Sequence, residues 1–135
     1  MAASLINLGH TFGHAFERLA HYDPGRIVHG EAVSIGIVHA FRFSAALGLC
    51  PPADAERVEA HFLAAGLPTR TGEIRGFNAD AAAILDAMGQ DKKVTRGRMN
   101  LVLARGVGRG FLARDVDRGD ILRFLEAEAG RGADA

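Results

Sequence analysis

Two histidines four residues apart, His10 and His14, lie in the segment Asn-Leu-Gly-His-Thr-Phe-Gly-His-Ala-Phe-Glu, residues 7–17. At ~100° per residue, a helix would bring Asn7, His10, His14 and Glu17 within an arc of roughly 80°. Amphipathic helices ordinarily fill the polar side with charged residues. This segment instead carries an amide and two imidazoles, which bind metals and transfer protons. We call these four residues the polar stripe and expect the function there.

A third histidine, His29, follows in the segment His-Gly-Glu-Ala-Val-Ser-Ile-Gly, residues 29–36. His10 and His14 could bind one metal together, although the protease motif His-Glu-x-x-His is absent. Alternatively, one of them binds the metal with His29 while the other does proton chemistry beside it. The residues alone leave both arrangements open.

Any site built on two histidines lacks one ligand, because a catalytic zinc takes three protein ligands and an open position. Glu17 and Glu31 are the local candidates. Glu31 is better explained as a residue that begins a helix, where a carboxylate favours the positive end of the dipole. A third ligand from outside this chain is therefore a serious alternative.

Gly9 and Gly13 lie beside the polar stripe. Because glycine costs ~1 kcal/mol relative to alanine inside a helix, two of them indicate close approach of another backbone or a ligand. The other histidines, His21, His39 and His61, have no such neighbours and are interpreted as loop or packing residues.

Composition limits the class of protein. A chain of 135 residues fits one domain with a real core. Its 16 basic and 16 acidic residues balance, which argues against nucleic acid and anionic membranes as partners. The single Cys50 cannot form an internal disulfide. Without a membrane-length apolar run or a signal peptide, the sequence predicts a soluble cytoplasmic domain.

Lysine use is unusual, since 14 of the 16 basic residues are arginine and the two lysines, Lys92 and Lys93, are adjacent. Such a bias suggests a position where a compact ammonium is required and a planar guanidinium is not suitable. The alternative is a solvated turn.

The elements that must position these residues are predicted from periodicity, glycine, proline and capping residues. Ser4 is a suitable N-cap for the first helix, and Gly48 closes a central, largely buried second helix. The fold class is therefore mainly α with one small β-hairpin, in a single helical domain over residues 1–135. The predicted elements are helices over 4–20, 30–47, 53–65, 79–88 and 117–128, strands over 99–104 and 111–113, and a frayed tail over 130–135.

Several segments in order resemble the C-terminal domain of 3-dehydroquinate synthase. The first two motifs are specific together, and the resemblance covers nearly the whole chain. The segments are 7–17 and 29–36, quoted above, Gly-Leu-Pro (66–68), Asp-Lys-Lys-Val (91–94) and Leu-Val-Leu-Ala-Arg-Gly-Val-Gly (101–108).

This resemblance implies the helical C-terminal domain of the dehydroquinate synthase-like fold. The enzyme of this family is a lyase of the shikimate pathway, which leads to aromatic amino acids. It converts 3-deoxy-D-arabino-heptulosonate 7-phosphate to 3-dehydroquinate with loss of phosphate. The resemblance also implies a divalent metal (zinc or cobalt), a tightly held NAD, a small phosphate substrate and a homodimer of the full-length enzyme.

Individual roles follow from the same resemblance. His10 and His29 match the two metal-binding histidines of the family, and His14 matches a catalytic histidine near the substrate. The substrate-binding residues are implied to be Asn7, Lys92 and Lys93.

The sequence also departs from the family. The N-terminal α/β domain, which binds NAD and supplies a glutamate as the third metal ligand, is missing, and no Gly-x-Gly-x-x-Gly motif is present. Ala3 stands where the family has an arginine four residues before Asn7. The chain is therefore expected to be a fragment that is inactive alone.

Two alternatives stay open. Other sugar phosphate cyclases, such as 2-deoxy-scyllo-inosose synthase, share the histidine motifs. A non-catalytic remnant that only binds metal, or pairs with a partner subunit, is the other alternative. The genomic sequence immediately upstream would discriminate, since an in-frame nucleotide-binding domain supports the enzyme and a stop codon supports the remnant.

Overall fold

The computed structural model describes residues 8–90 and 98–133. Five helices and one antiparallel hairpin make up these residues, which confirms the mainly α class. A short 3-10 turn, Thr71–Glu73, lies between the third and fourth helices. In chain order the elements are α1 (His10–Leu19), α2 (His29–Ala46), α3 (Pro52–Ala64), α4 (Ala81–Gln90), β1 (Arg98–Ala104), β2 (Gly110–Asp117) and α5 (Arg118–Ala133).

The first helix starts later than the sequence predicts. Gly9 has a φ of +80°, in the left-handed region, so the helix begins at His10. A left-handed residue cannot continue a right-handed helix, and glycine adopts this conformation without a steric penalty. The predicted start near Ser4 is therefore wrong for Leu8 and Gly9, while residues 4–7 lie outside the described residues.

The second helix is the central element of the fold, as predicted. Glu31 caps its start, because Oε1 accepts a hydrogen bond from the backbone N–H of Val28 at 3.1 Å. Gly48, with a φ of +76°, follows its end. The one formal charge along its buried length, Arg42, donates from Nε to Glu128 of α5 at 2.9 Å.

Side-chain caps set two helix starts that periodicity placed only approximately. Asp80 accepts from the N–H of Ala83 at 2.8 Å, so α4 occupies Ala81–Gln90 rather than residues 79–88. Asp117 accepts from the N–H of Gly119 at 2.7 Å at the start of α5. This last helix continues to Ala133, so the expected end at 128 and the frayed tail are wrong up to that residue.

The hairpin is longer than predicted on its second strand. Residues 98–104 pair with 110–117, with an irregularity between Met99 and Leu101. Ser44 attaches the hairpin to α2, because its hydroxyl accepts from the N–H of Ala104 at 3.0 Å and donates to the carbonyl of Ala40 at 2.6 Å.

The core lies where α1, α2, α4, α5 and the hairpin meet. Phe12 and Phe16, on the apolar side of α1, are almost fully buried. Phe12 contacts Phe43 of α2 and Phe124 of α5 edge-on, with ring centroids 6.3 and 6.0 Å apart. Within the described residues, no helix is both long and apolar enough to cross a membrane.

Candidate functional site

The site begins with a close contact between α1 and α2. A Cβ atom built on Gly36 would lie 2.9 Å from the backbone nitrogen of Gly13 and still nearer the carbonyl oxygen of Gly9. One built on Gly13 would lie 3.1 Å from the carbonyl oxygen of Ala32. The approach expected beside the polar stripe is therefore that of another backbone, and Gly36 is the partner that the sequence analysis missed.

These contacts fix how the two helices run past each other. Gly9 lies against Gly36, Gly13 against Ala32, and Glu17 contacts His29. Each turn forward along α1 thus meets about one turn backward along α2, so the helices are antiparallel. The crossing brings the start of α2, with His29, beside the polar stripe.

Three histidines converge at this crossing. The ring centroids of His10 and His14 are 5.4 Å apart, those of His10 and His29 6.4 Å, and those of His14 and His29 6.2 Å. The first two come from successive turns of α1 and the third from the first residue of α2. The structure thus brings together three of the residues singled out in the sequence.

Glu17 lies between two of these histidines. Its Oε2 accepts a hydrogen bond from Nδ1 of His29 at 3.0 Å, and its Oε1 lies 3.3 Å from Nδ1 of His14. The Glu17 side chain is only 14% exposed, whereas those of His14 and His29 are 43% and 61% exposed. The imidazoles therefore face outward over a carboxylate on their inner side.

This donor set fits a divalent metal in part. Imidazole nitrogens are the usual protein ligands of zinc and cobalt. Among the described side chains, however, no group of three His, Cys, Asp or Glu residues is arranged to hold a metal. Glu31 is occupied with the cap of α2. A complete site needs a further ligand from beyond these side chains.

Other predicted site residues cannot be placed. Asn7, Lys92 and Lys93 lie outside the described residues, so their positions relative to the histidines stay predictions.

His39 is buried at 2% exposure and contacts Phe12, Phe16 and Phe124, as a packing residue should. His61 is exposed on α3.

A cavity of about 620 Å³ lies elsewhere, between α2, α3 and the hairpin loop. Leu8, Ile37, Phe41, Val58 and Val107 are among its mainly apolar lining residues. None of His10, His14 and His29 borders it. We therefore locate the candidate site by the histidine cluster, which has the chemistry, and not by this cavity.

Known proteins are similar to this chain in sequence and in fold. Residues 2–94, which include the whole cluster, match the family model of the 3-dehydroquinate synthase C-terminal domain. The chain is 50% identical over 123 residues to the 3-dehydroquinate synthase of Rhizobium rhizogenes and 52% identical over 122 residues to that of Mesorhizobium japonicum. These alignments cover 91% and 90% of the chain but 33% and 32% of the two relatives. The chain thus spans about a third of their length.

Solved structures share the fold. A 2-deoxy-scyllo-inosose synthase, determined with carbaglucose-6-phosphate, NAD⁺ and Co²⁺, matches with a TM-score of 0.72 and 22% identity over 90% of this chain and 34% of its own. A 2-epi-5-epi-valiolone synthase from Streptomyces hygroscopicus, determined with NAD⁺ and Zn²⁺, matches with a TM-score of 0.72 and 25% identity, covering 94% of this chain and 33% of its own. Because the family model matches well over half of its residues, the chain belongs to the 3-dehydroquinate synthase family, through the C-terminal domain of that family.

Proposed function

We propose that this chain is the metal- and substrate-binding part of a 3-dehydroquinate synthase. The complete enzyme would convert 3-deoxy-D-arabino-heptulosonate 7-phosphate to 3-dehydroquinate with loss of phosphate. The observation that carries the proposal is the convergence of His10, His14 and His29 at the glycine crossing of α1 and α2. Relatives of about 50% identity that bear this enzyme's name support it.

In this proposal His10 and His29 hold the divalent metal, zinc or cobalt. They come from different helices, so the crossing itself sets the distance between the ligands. A metal bound there would polarise the hydroxyl group that is oxidised. The third ligand would come from the part of the enzyme that this chain does not span.

His14 is proposed to handle a proton of the substrate. Its ring lies within 5.4 Å of the His10 ring, centroid to centroid, and its side chain is 43% exposed, so a substrate at the metal could reach it. Histidine is suited to this role because its ordinary pKa lies near neutrality. The carboxylate of Glu17 lies 3.3 Å from its Nδ1.

Asn7, Lys92 and Lys93 are proposed to bind the substrate. A lysine ammonium serves a phosphate group as a compact point charge, so the lysine pair suits the phosphate end. NAD, the hydride acceptor of the proposed reaction, would be bound mainly by the domain that precedes this one in the relatives.

A second candidate is a related sugar phosphate cyclase that acts on a hexose phosphate. The similarity in fold to 2-deoxy-scyllo-inosose synthase is the observation behind this alternative. At 22% identity that match concerns the fold alone, whereas the relatives of about 50% identity favour dehydroquinate synthase.

A chimera tests the proposal. The present chain would replace the matching third of the Rhizobium rhizogenes enzyme, which supplies the remaining domain. We expect release of phosphate from the heptulosonate phosphate. A His14→Ala variant of the chimera should lose about 10²- to 10⁴-fold in kcat, the usual contribution of a general acid or base, whereas His61→Ala should keep the activity.

Two outcomes of the same assay would overturn the proposal. If the folded chimera binds NAD and zinc yet turns over only a hexose phosphate, the cyclase alternative is correct. If it binds both and turns over neither substrate, while the parent Rhizobium enzyme is active, the chain is a non-catalytic remnant.

A further inference from the structure

Glu17 contacts both His14 and His29, but it has no role in the function proposed above. We propose that Glu17 is a positioning residue: it holds His29 with Nδ1–H toward the carboxylate and thereby turns Nε2 toward the metal. This inference rests on the proposed function of His29 as a ligand, and it adds a residue that acts through that ligand.

The hydrogen bond determines which nitrogen carries the proton. An ionised carboxylate only accepts hydrogen bonds, so the contact of 3.0 Å between Oε2 and Nδ1 of His29 requires the hydrogen on Nδ1. A neutral imidazole has one such hydrogen, which leaves the lone pair on Nε2. That is the form in which histidine binds a metal through Nε2, with increased basicity because of the carboxylate.

Burial argues that Glu17 supports the ligand and does not itself bind the metal. One oxygen is bonded to His29 and the other lies 3.3 Å from Nδ1 of His14. The side chain is 14% exposed against 61% for His29, so the metal would meet the imidazole first. One carboxylate thus orients the metal ligand and lies beside the histidine proposed to move the proton.

The helix crossing explains why Glu17 can reach His29. Glu17 is one turn beyond Gly13, and His29 is about one turn before Ala32, on the antiparallel partner. The glycine contact therefore brings the Glu17 carboxylate and the His29 imidazole to the same end of the helix crossing. Glu31, only two residues from His29, instead bonds to the backbone of Val28.

Nitrogen-15 NMR of the imidazoles tests the proposal on the metal-free 135-residue chain at about pH 8, where ordinary histidines are neutral. We expect the wild-type His29 to carry its proton on Nδ1. Glu17→Gln should keep this tautomer, because the amide oxygen still accepts from Nδ1–H, whereas Glu17→Ala should give a mixture of tautomers. Glu31→Gln is the matched control and should leave His29 unchanged, since glutamine can still cap the helix.

Zinc affinity, measured by calorimetry on the same proteins, gives the second readout. We expect Glu17→Ala to weaken binding about 10- to 100-fold, the usual effect of removing such a partner, and Glu17→Gln to weaken it less. A wild-type His29 protonated on Nε2, or a Glu17→Ala variant that keeps the Nδ1–H tautomer, would overturn the proposal. If the tautomers are as expected but His29→Ala does not alter zinc binding, Glu17 orients the His29 ring but His29 is not a ligand, and the failure lies in the proposed function on which the positioning role rests.

Discussion

Gly36 of α2 lies so close to Gly9 that a methyl group on Gly36 would overlap the carbonyl of Gly9. Gly9 is also the left-handed residue after which α1 begins. A single glycine therefore starts the helix that carries His10 and His14 and allows α2 to approach it. The positions of all three histidines depend on this contact.

Replacing Gly36 with alanine should disturb both the fold and the site. Backbone atoms cannot move aside as a flexible side chain can, so we expect a loss of about 1–3 kcal/mol in the free energy of unfolding. Urea denaturation of the chain would measure it. Gly30→Ala is the control in the same helix, because a Cβ there has no neighbour within 4 Å. Equal stabilities for the two variants would contradict the close contact.

The metal ligands are predicted to be His10 and His29. We expect calorimetry with zinc to detect binding to the wild-type chain that is lost in His10→Ala and in His29→Ala and unchanged in His61→Ala. Binding should be weaker than that of a complete enzyme, because one ligand and its charge are absent. Binding that survives in His29→Ala but disappears in Glu17→Ala would show that the ligand assignment is wrong.

The lysine pair is predicted to bind the phosphate of the substrate. Within the chimera, Lys92→Ala and Lys93→Ala together should impair turnover strongly, because a hydrogen bond to a charged group contributes about 1.5–3 kcal/mol. Circular dichroism should show an unchanged fold. Arg114→Ala removes an exposed cation of the hairpin and is the control. Normal kinetics in the double lysine variant would favour the interpretation of a solvated turn.

Cys50 is predicted to be unreactive in the folded chain. Burial raises the pKa of its thiol above the ordinary 9.0, and the carboxylate of Asp54 adds to the effect. Since the thiolate is the reactive form, a disulfide reagent at neutral pH should modify the folded chain far more slowly than the urea-unfolded chain. Equal rates would contradict this environment.

The same pKa shift has a consequence for stability. Above pH 9.0 the unfolded chain loses the thiol proton before the folded chain does, so the free energy of unfolding should fall as the pH rises further. Cys50→Ala should lack that part of the decrease.

Local chemistry predicted most of the fold. The mainly α class with one hairpin was predicted from periodicity and turn residues, and Gly48 marked the end of α2 as predicted. The errors lie at boundaries, where one backbone angle or one side-chain cap decides. Gly9 makes α1 start later than predicted, and the Asp80 cap moves the start of α4. The spacing of apolar residues reports neither effect.

The candidate site was only partly visible in the sequence. Spacing placed His10 and His14 on one side of a helix, but it could not give the distance to His29, which depends on tertiary packing. Glu17 was identified as a member of the polar stripe. Its hydrogen bond to His29 could not be predicted, because it depends on α2 running antiparallel to α1. Gly36 carried a usable signal, since it is a glycine inside a predicted buried helix, where it costs stability unless something packs closely.

Anomalous X-ray scattering from a crystal of the chimera would locate the zinc ion directly. We expect one zinc ion at the crossing of α1 and α2, bound by nitrogen atoms of His10 and His29 at about 2.0–2.1 Å. Glu17 should lie on Nδ1 of His29, and the third ligand should come from the Rhizobium portion. Zinc at another site, or zinc bound by His10 and His14 with His29 turned away, would contradict this expectation.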